Sequence, residues 1–194
     1  MSQGGVSEMT IREALRSRRS IKQFTGRPIT RSEIEMLLDA AVLAPNHHLT
    51  QPWRFYVLGP AARRAYGEVL GNRKARKVED PNAAQLVREK IAAEHEAQPG
   101  MIAVAMRQDE DPEVRREDYA AVMMGVQNLL LTAHELGLGT HIKTGAVMDD
   151  PAARAAVGVA DDERIVAVIN VGEPASVPTP KERAPSSSFT VWRD

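Results

Sequence analysis

Apolar residues recur along the chain with two periods, and these periods predict which segments are helical and which are extended. Between residues 34 and 42 they mark one face of a helix, which Thr30 and Glu33 begin as a capping box and Pro45 ends. The same reasoning predicts further helices over 10–17, 61–70, 82–97, 113–136 and from 149 or 150 to 157. Shorter runs rich in aliphatic and aromatic residues predict strands over 53–58, 101–106, 140–143 and 164–171.

Two predicted elements have no polar face. The run from 164 to 171 is almost continuously apolar, which is typical of a strand buried on both sides. The second half of the long helix, residues 120–136, is apolar nearly all round, so we expect one side of it to form a subunit interface. Residues 175–194 are rich in proline and serine and carry an apolar end, which predicts an extension that packs on another subunit after a domain of residues 1–174.

Composition excludes several classes of protein. The chain has 194 residues, 43% hydrophobic and 26% charged, which is enough for one folded domain with a sizeable core. A net charge of -1 gives no broad field for nucleic acid, and the absence of cysteine excludes disulfides, thiolate metal sites and a thiol nucleophile. No apolar run approaches the roughly 20 residues that span a bilayer, and residues 1–9 lack a signal-peptide core, so we expect a cytoplasmic protein.

Cations near both ends of the chain suggest an anion-binding site. Arg18, Ser20 and Lys22 are spaced two apart, so an extended backbone would point all three side chains the same way, as a grip for phosphate. Lys181 and Arg183 repeat this spacing in the tail. The alternative is an ordinary solvated basic face. A second basic cluster, residues 73–77, and His95 among glutamates are expected to be plain exposed surface.

The segment 44–55 carries amide and imidazole side chains on a loop that prolines stiffen at both ends. Such loops, held by a scaffold, commonly bind ligands. The chain has no nucleophile elbow, no evident acid–base dyad and no metal-ligand spacing. A metal site of His47, His48 and His141 stays open, although no spacing supports it, and our expectation is no metal. Because the protein lacks reactive groups of its own, a cofactor is expected to carry the chemistry.

These segments resemble the signatures of the FMN-dependent nitroreductase family, specifically its compact branch. Residues 18–24 read RRSIKQF, and residues 44–55 read APNHHLTQPWRF. Gly137-Leu138-Gly139 and the Lys181–Arg183 pair follow in the family's order. The resemblance implies an α+β fold, with a mostly antiparallel sheet flanked by helices, in an intertwined homodimer that holds two FMN molecules at its interface.

The resemblance also implies a role for each cofactor-binding residue. The phosphate and ribityl chain would be held by Arg18, Arg19, Ser20, Lys22, Lys181 and Arg183. One subunit would line the isoalloxazine with Pro45, Asn46, His47 and Gln51, whereas Lys143, Thr144 and Gly145 would meet the edge that carries N1, N5 and O4. The implied reaction is ping-pong: NAD(P)H reduces FMN, and a nitroaromatic, quinone or similar electron-poor acceptor then takes the electrons.

Three departures from the family pattern and two alternative functions stay open. The loop has Asn46-His47-His48 where the family usually has small serine-rich sequence, and Lys22 replaces a commoner arginine. Residues 71–98 correspond to the segment that covers the substrate and varies within the family. They carry no motif, so the sequence does not identify the electron acceptor. A flavin-binding carrier or flavin-modifying protein with little reductase activity is the main alternative. A small helical nucleic-acid-binding protein is the other, although its basic runs lack stacking aromatics.

Overall fold

The computed structural model describes residues 9–193. Residues 1–8, which make up most of the segment predicted to lack a signal-peptide core, lie outside this range. Six helices occur in it: α1 (Ile11–Ser17), α2 (Arg31–Ala41), α3 (Pro60–Ala75), α4 (Pro81–Glu96), α5 (Pro112–Glu135) and α6 (Pro151–Val157). The four strands are β1 (Trp53–Val57), β2 (Gly100–Arg107), β3 (Gly139–Lys143) and β4 (Glu163–Gly172). Short 3₁₀ turns cover His47–Leu49, Ala146–Asp149 and Ser186–Phe189.

The strands form one sheet in the order β1-β2-β4-β3, and every neighbouring pair is antiparallel. The predicted α+β class is therefore confirmed. β2 and β4 occupy the centre, where both faces are covered by helices, which explains their continuous apolar sequence. β1 and β3 form opposite edges, about 14 Å apart at roughly 4.8 Å per strand spacing.

Helices cover both faces of the sheet. On one face α2 and α5 bury Leu37, Val126 and Leu129 against Ile102 and Ile169. On the other face α3 and α6 enclose a second cluster, which includes Tyr66, Met101, Ala103, Ala153 and Val168. Met124 of α5 and Leu136, directly after its end, remain exposed, so the apolar surface of this helix is not fully covered within one chain.

The helix starts agree with the local signals. Thr10 with Glu13 and Thr30 with Glu33 each form a complete capping box. Only α3 runs well past its predicted end, to Ala75, because it packs along α4. A Cβ atom on Gly71 would lie 2.9 Å from the Cα of Arg88, so the glycine permits this close approach.

This helix pair also overturns the prediction that His95 is exposed. His95 is buried on the side of α4 that faces α3, where a Cβ atom on Gly67 would lie 2.8 Å from the Cβ of His95. The second basic cluster, residues 73–77, is also not all plain surface, since Arg73 forms an ion pair with Asp150 at 3.5 Å. Within residues 9–193 no helix is both long and apolar enough to cross a membrane.

Candidate functional site

The predicted phosphate-binding segment lies along the outer edge of β3. The Ile21 amide donates to the Thr140 carbonyl at 2.9 Å, and Ser20 forms a parallel bridge with Thr140. The Ile21 side chain is buried. Farther on, Thr25 donates to the Glu173 carbonyl at 2.9 Å. The segment is thus an extended chain held at both ends, as the spacing of its cations predicts.

The side chains of this segment differ in what they contact. Arg19 donates to the carbonyls of Arg16 at 2.7 Å and Arg18 at 2.8 Å, so its guanidinium satisfies the end of α1. Within residues 9–193 the side chains of Arg18, Ser20 and Lys22 make no hydrogen bond or ion pair. The predicted phosphate grip therefore has two cations and a hydroxyl without protein partners.

A cavity of about 270 Å³ opens beside this segment and the Gly137–Gly139 turn. His134 lines it, and its Nε2 lies 2.6 Å from the Ser17 hydroxyl. Burial lowers the pKa of His134, and the positive charges of Arg18 and Arg19 lower it further. Arg18 and Arg19 therefore make the pocket electropositive, which suits an anion.

The C-terminal cations begin their path next to this segment. Ala175 donates to the Gln23 carbonyl at 3.0 Å, and Ser176 donates to the Gln23 side chain at 3.1 Å. Beyond this anchor Lys181 and Arg183 are exposed, as is the rest of the tail to residue 193. The fold thus brings the start of the tail to the N-terminal cations, whereas the convergence of Arg183 on Arg18 stays a prediction.

The predicted isoalloxazine loop has an unusual backbone. His48, Leu49 and Gln51 have φ values of 58°, 52° and 46°, although none is glycine. Asn46 compensates for this conformation, because its Oδ1 accepts from the Gln51 amide at 2.7 Å and its Nδ2 donates to Thr50 Oγ1 at 3.0 Å. Such strain persists only where surrounding contacts impose it, and it clusters at binding sites.

Helix α5 supplies two carboxylates to this loop that the sequence did not reveal. The Thr50 hydroxyl donates to Asp118, which is buried, and His47 Nδ1 lies 2.7 Å from the Glu117 carboxylate. Asp118 lies on the buried face of α5, which continues through Val122. The sequence signal that could have revealed this contact was a single acidic residue, Asp118, on the apolar face of the helix. His141 does not join the loop, since it lies in β3 at the opposite sheet edge.

The predicted flavin-edge residues lie at the end of β3. Lys143 is half-buried, and its Nζ is 3.3 Å from His95 Nε2, whereas Thr144 and Gly145 are exposed. His95 Nδ1 lies 2.7 Å from the Ile91 carbonyl, which can only accept, so Nδ1 carries the proton and Nε2 accepts from Lys143. Burial is the main cause that lowers the pKa of both side chains.

Comparison with known proteins gives a consistent result. A model of the Nitroreductase family matches residues 15–173. A Bacillus subtilis (strain 168) protein with the provisional name NAD(P)H nitroreductase YfhC is 33% identical over 176 residues, 90% of each chain. The crystal structure of a nitroreductase-like family protein from Bacillus cereus has a TM-score of 0.83 at 27% identity, over 97% of this chain and 98% of that one. A Desulfovibrio desulfuricans protein described as a nitroreductase, solved in complex with FMN, has a TM-score of 0.70 at 24% identity, over 94% and 95%.

Proposed function

The chain belongs to the Nitroreductase family, and from this premise we propose that it is an FMN-dependent NAD(P)H oxidoreductase. Electrons would pass from NAD(P)H through FMN to a nitroaromatic, quinone or similar electron-poor acceptor in a ping-pong cycle. FMN supplies the hydride-accepting centre when bound. The protein's own residues bind the cofactor, orient it and tune its charge.

The observation that carries this proposal is the extended 18–22 segment on the edge of β3. Arg18 and Lys22 have no carboxylate partner within residues 9–193, and they lie on the same element as the buried Ile21 that fixes their position. A phosphate would supply the missing counter-charge. At the other end of β3, Gly145 has open space where a Cβ atom would lie, so a flat ring can approach its backbone.

The geometry supports a site made by two chains. The loop of Pro45, Asn46, His47 and Gln51 precedes β1, whereas the phosphate segment and Lys143 lie at β3, the opposite sheet edge. The loop contacts α5 at residue 117, and the phosphate segment contacts it at residue 134. These contacts are about 25 Å apart at roughly 1.5 Å per residue. One chain therefore does not present both halves together.

Antiparallel pairing of two α5 helices about a two-fold axis would bring the two halves of the site together. The residue-117 end of one helix would then lie beside the residue-134 end of the other, which brings the loop of one chain to the β3 edge of its partner. Met124 lies near the midpoint and is exposed, as such an axis requires. The exposed Phe189, Val191 and Trp192 of the tail would be buried on the partner subunit.

In this arrangement the β3 residues act on the ring edge. Lys143 would place a positive charge beside N1, where it stabilises negative charge on the reduced ring, and the exposed Thr144 and Gly145 would contact N5 and O4. Arg18, Ser20, Lys22, Lys181 and Arg183 would hold the phosphate and ribityl chain. Arg19 would contribute through its backbone, since its guanidinium is engaged on α1.

The test begins with the absorption spectrum of the purified protein and continues with two variants. Arg18→Ala and Arg183→Ala each remove a charge-assisted hydrogen bond, which contributes about 1.5–3 kcal/mol, so FMN should bind roughly 10- to 100-fold more weakly. The control is Arg31→Ala, because Arg31 is exposed and, among residues 9–193, pairs only with Glu35, at 2.7 Å. Unchanged flavin retention in both variants would refute the phosphate assignment.

Anaerobic stopped-flow mixing then tests the reaction itself. NADH or NADPH should bleach the bound flavin, and adding a quinone or nitroaromatic should restore its absorbance. Bound flavin that neither nicotinamide bleaches would instead support the carrier or flavin-modifying alternative. A colourless protein that binds no added FMN would reject both.

A further inference from the structure

Two histidines and a glutamate converge where the loop before β1 meets α5. The ligand atoms of His47, His48 and Glu117 all lie within 4.8 Å of one another. His47 Nδ1 is 2.7 Å from Glu117 Oε2, and the two imidazole rings stack with centroids 3.8 Å apart. The cluster is open to solvent on one side, since the His47 side chain is 63% exposed.

The backbone explains how adjacent histidines come to share a side. Neighbouring side chains point to opposite faces of a strand and well apart on a helix. His48 instead has φ 58° and ψ 5°, the left-handed conformation, which turns its ring over that of His47. This conformation costs a non-glycine residue about 1–2 kcal/mol. Contacts of Asn46 with Gln51 and of Thr50 with Asp118 hold the loop in this form.

We propose that His47, His48 and Glu117 bind a divalent transition-metal ion of the zinc type. Two imidazoles and a carboxylate form a ligand set that holds zinc with an open position for water. An ion roughly 2.0–2.1 Å from each donor would separate two ligands by about 3.3 Å, so His47 and Glu117 must move apart by only about 0.6 Å from their hydrogen-bonded distance. The His48 donor lies within 4.8 Å of the other two, so it must approach by at most about 1.5 Å, and the stacked rings must turn so that a nitrogen of each faces the ion. Rotation of the two exposed histidine side chains supplies these movements.

The site does not depend on the proposed function, although it uses the same loop. The metal takes ring nitrogens of His47 and His48, while the backbone of Pro45–His47 stays available to line the isoalloxazine. A bound ion would tie this loop to α5. The measurement is therefore made on the full-length chain both with and without FMN.

Calorimetric titration with Zn²⁺ tests the site directly. The flavin-free protein should bind one ion per chain. Glu117→Gln keeps the shape and a hydrogen bond to His47 but removes the anionic ligand, so the Zn²⁺ dissociation constant should rise at least tenfold. His48→Ala should weaken binding similarly. The matched control is His141→Asn, which removes a half-buried histidine at the other sheet edge and should leave binding unchanged.

Spectroscopy separates this site from nonspecific surface binding. Bound Cu²⁺ should show electron paramagnetic resonance couplings to two imidazole nitrogens, and one should be lost in His48→Ala. No saturable Zn²⁺ binding, or equal affinity in wild type, Glu117→Gln and His48→Ala, would overturn the proposal. If either of these results came from a protein that contains flavin, the metal site would be rejected and the proposed oxidoreductase function would stand. A colourless protein that binds zinc as described would reject the oxidoreductase function and leave the metal site standing.

Discussion

Replacing Gly139 by alanine tests whether the β3 edge positions the phosphate-binding segment. A Cβ atom at this position would lie 2.5 Å from Cγ1 and 2.8 Å from Cβ of Ile21, where ordinary contacts begin at 3.4 Å. Ile21 cannot retreat easily, because its amide is bonded to Thr140 and its β-branched side chain is buried and stiff. The segment must therefore shift by about 0.9 Å to relieve the clash.

The expected cost follows from this clash. Overpacking of a filled core costs about 1–3 kcal/mol, and the lower chain entropy of unfolded alanine offsets about 0.4–1 kcal/mol. A net loss of roughly 1–2 kcal/mol should lower the melting temperature of the flavin-free protein by about 2–8 °C. Because Arg18 and Lys22 would move with the segment, FMN affinity should fall about tenfold or more.

The assay compares urea unfolding at equal protein concentration with FMN titration by fluorescence quenching. Gly26→Ala is the matched control, because a Cβ atom there has nothing within 4 Å and it follows the same segment. It should stay within about 0.5 kcal/mol of wild type. In an Ile21→Ala background the Gly139→Ala cost should shrink, since Cγ1 at 2.5 Å and Cγ2 at 3.0 Å are removed and only the contact with Cβ at 2.8 Å remains. Equal cost in both backgrounds, or unchanged FMN affinity in Gly139→Ala, would refute the reasoning.

Two further predictions concern the loop and the histidines. Asp118→Ala should destabilise the protein by about 1–3 kcal/mol and speed amide exchange in residues 46–51, because the Thr50 hydroxyl loses its buried acceptor. Adding Thr50→Val to this variant should cost little further stability. Fully additive losses from the two substitutions would count against the contact. Burial lowers the folded-state pKa of His95, His134 and His141 below 6.5, so the unfolded chain binds protons more tightly and stability should fall as the pH drops through 6.5. His95→Gln should flatten the slope of unfolding free energy against pH by up to about 1.36 kcal/mol per pH unit, and an unchanged slope would contradict a buried neutral His95.

The sequence by itself determined the features that depend on near neighbours. The capping boxes at Thr10 and Thr30 each join residues three apart, and both are present. The apolar run of β4 predicted a strand buried on both sides, because burial on both faces leaves no position for polar residues. The two-residue spacing of Arg18, Ser20 and Lys22 likewise indicated an extended segment, in which these side chains share one side.

The tertiary structure decided which of these segments meet. His47 lies 70 residues from Glu117 in sequence, and His95 lies 48 from Lys143. No local period encodes these separations. His95 looked exposed because its neighbours on α4 are glutamates, and only the close approach that Gly67 and Gly71 allow buries it against α3.

The placement of the candidate site was likewise outside the reach of local patterns. Strand order puts the 45–51 loop and the 18–22 segment at opposite edges of one sheet, and α5 separates their contacts by about 25 Å. Sequence motifs list the parts of a site without saying which chain supplies each part. Strand pairing and helix packing set how far apart these parts lie within one chain, because they depend on contacts between residues far apart in the sequence.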